Sequence, residues 1–394
     1  MGIRYTLNTT QQRYRLYDAA MLTPLDNLPT WRAESGAAAP RRVVAADDTM
    51  SADTAYRLAC EGTGLLWQGD FHNARQLLQA LARRTERKPK KNKKPEPDIT
   101  PVQAFNAHRQ ALGQRARILA MVIVPMEGDY TIPLRRAPDL KQACTEAWGP
   151  ANGEACMVSL RELLGVVGAH EWRKKGVEIT ALGDAPNNRI YPHYGVFSPV
   201  RGEYVDLVAN TPIKDKSLAF DIGVGTGVLS AVLAKRGVQR IIATDQDPRA
   251  LACARENLQR LQRIDKVELV QTDLFPEGQA PLVVCNPPWV PARPSSPIEH
   301  AVYDEGSRML RGFLSGLREH LSPNGEGWLI LSDLAEHLGL RTREELICWI
   351  SEAGLKLVDR HDIKPRHGKA SDETDPLHAA RAKEVTSLWR LAAA

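Results

Sequence analysis

The 394-residue sequence predicts a chain in two parts, the second of which is a doubly wound α/β domain on a parallel sheet. Three observations predict it. From Ser217 onward, short apolar runs alternate with helical patterns. The first run, Leu218-Ala219-Phe220-Asp221-Ile222, passes straight into Gly223-Val224-Gly225-Thr226-Gly227. The next three runs end in Asp245, Asp273 and Asn286. Sheets of this kind bind ligands beyond the carboxyl ends of their strands.

Taken in order, strands are expected at 217–222, 240–245, 267–271, 281–286, 327–332, 355–360 and 385–391. Helices are expected at 226–236, 248–261, 303–321 and 341–353. The first 190 residues read as an accessory α+β domain, and 191–394 as the α/β domain. Residues 1–50 carry little periodicity. From Ser51 to Arg84 the pattern is helical, with Tyr56, Ala59 and Cys60 on one face and, after a break at Gly69-Asp70, Ala74, Leu77, Leu78 and Leu81 repeating at helical spacing. A basic, proline-rich linker occupies 87–101, and its 87–98 stretch, RKPKKNKKPEPD, cannot pack a core, so it reads as a solvated linker or as a phosphate-contacting arm. A helix near 102–114 leads to a strand at Ile118–Val124, and a second helix lies near 157–173.

Composition narrows the function classes. The net charge is +5, with 52 basic and 47 acidic residues, a mild excess that suits a nucleic-acid or ribosomal partner. Cysteines at 60, 144, 156, 253, 285 and 348 show no CxxC spacing, so no metal site is expected and a reducing, cytoplasmic setting is. No apolar run reaches the roughly 20 residues that cross a bilayer, and the first residues lack the apolar core of a signal peptide.

Alternate glycines let a backbone turn sharply and approach a ligand, and the helix that follows offers unpaired N–H groups to a carboxylate. A nicotinamide site would have G-x-G-x-x-G, with a wider last gap. The spacing here is Asp221-x-Gly223-x-Gly225-x-Gly227. It resembles the first motif of class I S-adenosylmethionine-dependent methyltransferases, where the turn, Thr226 included, holds the methionine end of the cofactor. That resemblance implies a Rossmann-like seven-stranded domain. Asp245, at the second strand end, can accept two ribose hydroxyls. By the same resemblance Asp273 bonds the adenine amino group and Leu274 offers its backbone N–H.

The fourth strand runs into Asn286-Pro287-Pro288-Trp289. Two prolines fix φ, remove two backbone donors and push Asn286 out of helical geometry. A planar NH₂ is a poor nucleophile because its lone pair is delocalised. The Asn286 side-chain oxygen and the Pro287 carbonyl can each accept one of its N–H bonds, which aims the lone pair at a methyl donor and stabilises the developing charge. Trp289 offers a face for the planar acceptor.

Residues from about 190 to 391 resemble the HemK-like N-methyltransferases, which share the methyltransferase small domain with several ribosomal-RNA methyltransferases. The matching residues are Asp221–Gly227, Asp245, Thr272-Asp273, Asn286–Trp289, Tyr303–Gly306 and Leu321–Gly325. Tyr194–Tyr204 resembles the stretch that covers the cofactor. The resemblance implies a macromolecular acceptor: an exocyclic amine of RNA or DNA, or a glutamine amide of a translation factor or ribosomal protein. Trp289 stands where glutamine-modifying members have tyrosine. Small-molecule N-methylation and a non-catalytic cofactor-binding module are the alternatives. A basic loop, Lys364-Pro365-Arg366-His367-Gly368-Lys369, is a second candidate phosphate contact, beside the acidic run Asp372-Glu373-Thr374-Asp375. His367 and His378 read as ordinary surface residues.

Overall fold

A computed structural model describes residues 29–86, 99–200, 202–294, 297–365 and 372–394. The basic stretch 87–98 and the Arg366–Lys369 part of the basic loop lie outside the described residues. None of the described helices is long and apolar enough to cross a membrane. The chain forms two compact units whose segments interleave in sequence.

The first unit takes its described residues from 29–86, 114–142 and 150–164. Its sheet contains β1 (Thr30–Arg32), β2 (Arg42–Ala46), β3 (Thr63–Trp67), β4 (Val122–Met126) and β5 (Cys156–Ser159), in the order β1-β5-β4-β3-β2. β2, β3 and β4 are parallel, β5 is antiparallel to β4, and β1 is parallel to β5. Helices α1 (Ala52–Cys60) and α2 (Phe71–Thr85) follow β2 and β3. Each starts on a side-chain cap: Ser51 Oγ accepts from Thr54 N at 3.1 Å, and Asp70 from His72 N at 2.9 Å.

Three differences from the sequence reading have one cause. The helical stretch expected at 51–84 is interrupted by β3. α3 (Pro101–Ala120) runs through Ile118 and Leu119, so β4 begins only at Val122. The helix expected from 157 starts at 160, after β5. Short apolar runs such as Thr63–Trp67 and Cys156–Ser159 have no alternation that separates a buried strand from a buried helix turn.

The second unit takes its described residues from 99–113, 143–149 and 165–394. It holds the first part of α3, most of α4 (Lys141–Trp148) and α5 (Leu160–Lys175), and the two-stranded pair β6 (Val177–Glu178) and β7 (Arg189–Ile190). Then follow α6 (Glu203–Asn210), β8 (Leu218–Ile222), α7 (Val228–Lys235), β9 (Arg240–Asp245), α8 (Pro248–Arg260), β10 (Val267–Gln271) and β11 (Ala280–Cys285). The unit closes with α9 (Arg308–His320), β12 (Leu321–Ser332), α10 (Leu334–His337), α11 (Arg343–Glu352), β13 (Leu355–Ile363), α12 (His378–Arg381) and β14 (Thr386–Ala393).

The seven-stranded sheet has the order β10-β9-β8-β11-β12-β14-β13, with β14 antiparallel to both neighbours and the rest parallel. Each expected strand and helix is present within a few residues, except that α9 starts at Arg308 rather than 303 and β12 at Leu321 rather than 327. The late helix start has a local reason. Gly306 and Ser307 adopt left-handed φ of 67° and 55°, which no helix accommodates. Asp304 caps the helix from outside, accepting from Met309 N at 2.9 Å and Leu310 N at 3.2 Å.

Apolar side chains cover both faces of the sheet. Val205, Val228, Leu251 and Leu258 from α6 to α8 fill one side. Leu310, Phe313, Leu346 and Ile350 from α9 and α11 fill the other. The strand order reverses between β8 and β11, which opens a crevice above their carboxyl ends.

Candidate cofactor and acceptor site

The crevice holds a cavity of about 330 Å³, the low end of the range typical of ligand pockets. Its floor is the glycine turn after β8. Gly223, Gly225 and Gly227 have φ of 79°, 51° and 81°. Gly223 N and Val224 N donate to Thr244 O at 2.9 and 2.8 Å, which ties the turn to β9. A Cβ on Gly225 would meet no atom within 4 Å and would project into open space, whereas one on Gly227 would come within 3.2 Å of Ala254 on α8. Gly225 therefore leaves its part of the cavity open, and Gly227 lets two helices approach.

Alanine at 225 would carry a methyl at left-handed φ, at a cost of about 1–2 kcal/mol. The expected result for Gly225→Ala is a melting temperature lowered by only a few degrees and at least tenfold weaker binding of S-adenosylhomocysteine by calorimetry. Unchanged affinity would separate the turn from the ligand.

The acidic residues at the strand ends are already engaged. Asp245 Oδ2 accepts from Gly225 N at 3.1 Å and Oδ1 from Asp247 N at 2.9 Å, so this side chain shapes the turn as well as facing the cavity. Burial raises its pKa. Asp273, about half exposed, is paired with Arg308, and both line the cavity. Leu274 sits at φ 66°, and its carbonyl accepts from the Thr244 hydroxyl.

Asp221 is placed differently. It is almost fully buried on β8 and is not a cavity wall among the described residues. Oδ2 accepts from Ser230 Oγ at 2.6 Å, while Oδ1 has no hydrogen-bond partner among them. Burial, with a smaller contribution from Asp245, pushes its pKa up to about 6. Tyr204 stands beside it on the cavity wall, and burial next to Asp221 and Glu203 raises the phenol well above its ordinary pKa.

Asn286, Pro287, Pro288 and Trp289 all line the cavity, together with Gly223, Gly225, Thr226, Asp245, Asp273 and Leu274. The Trp289 indole N–H donates to Asn286 Oδ1 at 2.9 Å. This bond adds to the stacking expected of Trp289, because it fixes which way the carboxamide points. An amide oxygen keeps a second lone pair for another donor. Val290 continues into a parallel bridge with Tyr303, and Asp304 N donates to Val290 O at 2.9 Å.

Several wall residues had no signature in the sequence reading: Phe105, His300, Leu334, Leu338 and Leu377. Tyr303, also on the wall, opens the Tyr303–Gly306 stretch that resembled the family. Gly195, Val196, Phe197 and Tyr204 come from the segment that resembled a cofactor-covering stretch.

Part of the chain is similar to known proteins. The family model for the methyltransferase small domain matches residues 187–341. A tRNA1(Val) (adenine(37)-N6)-methyltransferase of Shewanella loihica is 30% identical over 183 residues, covering 44% of this chain and 72% of its own. A second one, from Shewanella putrefaciens, is 25% identical over 203 residues, covering 48% and 82%. A Methanocaldococcus jannaschii protein named for protein N5-glutamine methylation is 28% identical over 150 residues, covering 36% and 75%.

Proposed function

Because the chain belongs to the HemK-like class I S-adenosylmethionine-dependent methyltransferases, we propose that it methylates an exocyclic amine of an RNA base, held by the turn Asn286–Trp289. The observation that carries this reading is the Asn286 carbonyl. Trp289 locks it in place at the reversal point of the sheet, on the same cavity as the glycine turn.

The residues fit the cofactor. Gly223 to Gly227 would take the methionine end, where Gly225 leaves open space and the buried Asp221 carboxylate, behind the cavity wall, would add negative charge toward a cationic ligand. Asp245 would accept the ribose hydroxyls, and Asp273 with the Leu274 N–H would meet the adenine. When bound, the cofactor would supply a methyl carried on a sulfonium, which can pass to the nitrogen because the S–C electron pair is left on sulfur.

The chain's own task is to hold the amine. Asn286 Oδ1 and the Pro287 carbonyl accept its two N–H bonds, which fixes the nitrogen lone pair perpendicular to the base plane. Both oxygens then face a nitrogen that becomes positive, and they stabilise it more than the neutral amine. The extra proton leaves to water, and no strong base is needed. Pro287 and Pro288 keep the turn from relaxing, and the Trp289 face supports the ring.

Three features favour RNA over glutamine: Trp289 in place of tyrosine, the net charge of +5, and the likeness to tRNA adenine methyltransferases. Glutamine methylation is the second reading, favoured by the M. jannaschii relative. A cytoplasmic, translation-linked RNA is the acceptor we favour. The test is incubation with methyl-labelled cofactor, deproteinised total RNA and, separately, ribosomal proteins and release factors. The expected label is destroyed by RNase and survives protease. Label that survives RNase and vanishes with protease would replace the RNA reading with the glutamine one.

A further inference from the structure

The first part of α3 packs against the acceptor side of the cavity from outside the matched family domain at 187–341. Phe105 is 4% exposed, yet it contributes to the cavity wall. It clusters with Val290, Leu334, Leu338 and Leu377, and Trp289 and Tyr303 pack against the same cluster. Val102, one turn earlier, lies so close to Gly339 that a Cβ there would come within 2.9 Å of it.

A second anchor holds this helix in register. The Arg109 guanidinium lies 4.0 Å over the Tyr303 ring, pairs with Glu299 at 3.2 Å and donates to the Arg293 carbonyl. Tyr303 is itself bridged to Val290, the residue after Trp289. The helix, the acceptor turn and the 299–304 segment are thus joined by stacking, an ion pair and backbone bonds.

We propose that Phe105 is a specificity-determining residue, which walls the acceptor end of the cavity with an aromatic ring and selects a flat nucleobase. This rests on the RNA reading above. The chemistry of the wall favours a base over an amide side chain. A glutamine arrives on a peptide whose backbone N–H and C=O groups need partners. Around Phe105, Val290, Leu334, Leu338 and Leu377 offer no side-chain donor or acceptor, and of the two aromatic residues packed against them, Trp289 and Tyr303, the Trp289 N–H is already given to Asn286. A purine ring loses little by leaving water for such a wall and gains stacking against aromatic faces.

Arg109 is a positioning residue in this scheme. It touches Tyr303 and holds the helix, and its effect on the acceptor passes through Tyr303 and Phe105.

The experiment uses the full chain, methyl-labelled cofactor and deproteinised total RNA as the probe. Phe105→Ala is expected to raise the KM for RNA about tenfold, the scale of one lost stacking contact, with kcat falling less than threefold. The affinity for S-adenosylhomocysteine should stay within twofold. Phe105→Leu keeps apolar volume without the ring and should raise the KM similarly, and Phe105→Tyr should restore most of it. Leucine therefore serves as the test if alanine prevents folding. Arg109→Ala should reproduce part of the KM rise, which a purely structural loss of stability would not do while leaving cofactor affinity intact. If RNA is labelled by the unmodified protein but its KM is the same in Phe105→Leu, the assignment of Phe105 is overturned and the RNA reading stands. If the unmodified protein labels protein and not RNA, both are overturned.

Discussion

Asn286→Ala is expected to lower kcat by two to three orders of magnitude, the loss measured when one preorganised hydrogen-bond partner of a developing charge is removed. The variant keeps β11 and both prolines, so the backbone course of the turn survives. It removes the oxygen that Trp289 orients. S-adenosylhomocysteine binding should weaken less than threefold, since the glycine turn and Asp245 are untouched. Steady-state kinetics with the labelled acceptor and calorimetry with the product cofactor measure the two quantities separately. A parallel loss of both would mean that Asn286 maintains the cavity and does not hold the amine.

Trp289→Phe belongs to the same comparison. It keeps an aromatic face and deletes the N–H that donates to Asn286 Oδ1. The carboxamide is then free to rotate, so kcat should fall by less than in Asn286→Ala while the KM changes little. This ordering separates orientation from stacking: a Trp289 that only stacks would show its effect in KM.

Much of the α/β unit was legible because its signals are local. Gly223 to Gly227, Asp245, Asp273 and Asn286 each stand at a strand end, and strand–helix alternation places strand ends on one edge of a sheet. What local sequence does not carry is partnership. Nothing near Asp273 announces Arg308 as its partner, and nothing near Trp289 says that its indole N–H rather than its face meets Asn286. Phe105 lies far upstream of the acceptor turn, on a helix whose pattern is consistent with many packings, so only the tertiary fold brings it to the cavity. In the first unit the difficulty was periodicity. Thr63–Trp67 and Cys156–Ser159 are too short and too uniformly apolar to distinguish strand from helix before their neighbours are known.

The second large effect concerns Asp221, where stability and ligand binding pull in opposite directions. Burial raises its pKa from 3.8 to about 6, so the folded chain holds the proton more tightly than the unfolded chain does. Stability therefore falls as pH rises from about 4 to about 6, and above that the full penalty of a buried, half-satisfied carboxylate remains, about 3 kcal/mol for a shift of two units. Asp221→Asn cannot ionise. Its carbonyl can still accept from Ser230 Oγ, as the Asp221 carboxylate does through Oδ2. The variant should melt several degrees higher than the unmodified protein at pH 8 and by a much smaller margin near pH 4.5. Its affinity for S-adenosylmethionine should fall at least tenfold, because the same buried carboxylate would add negative charge toward a cationic ligand. Thermal melts at the two pH values and calorimetry with the cofactor give both signs. A variant that melts lower at pH 8 would mean that the carboxylate is stabilised in the folded chain by a charge it already faces, and its assignment to the cofactor's cationic end would be lost.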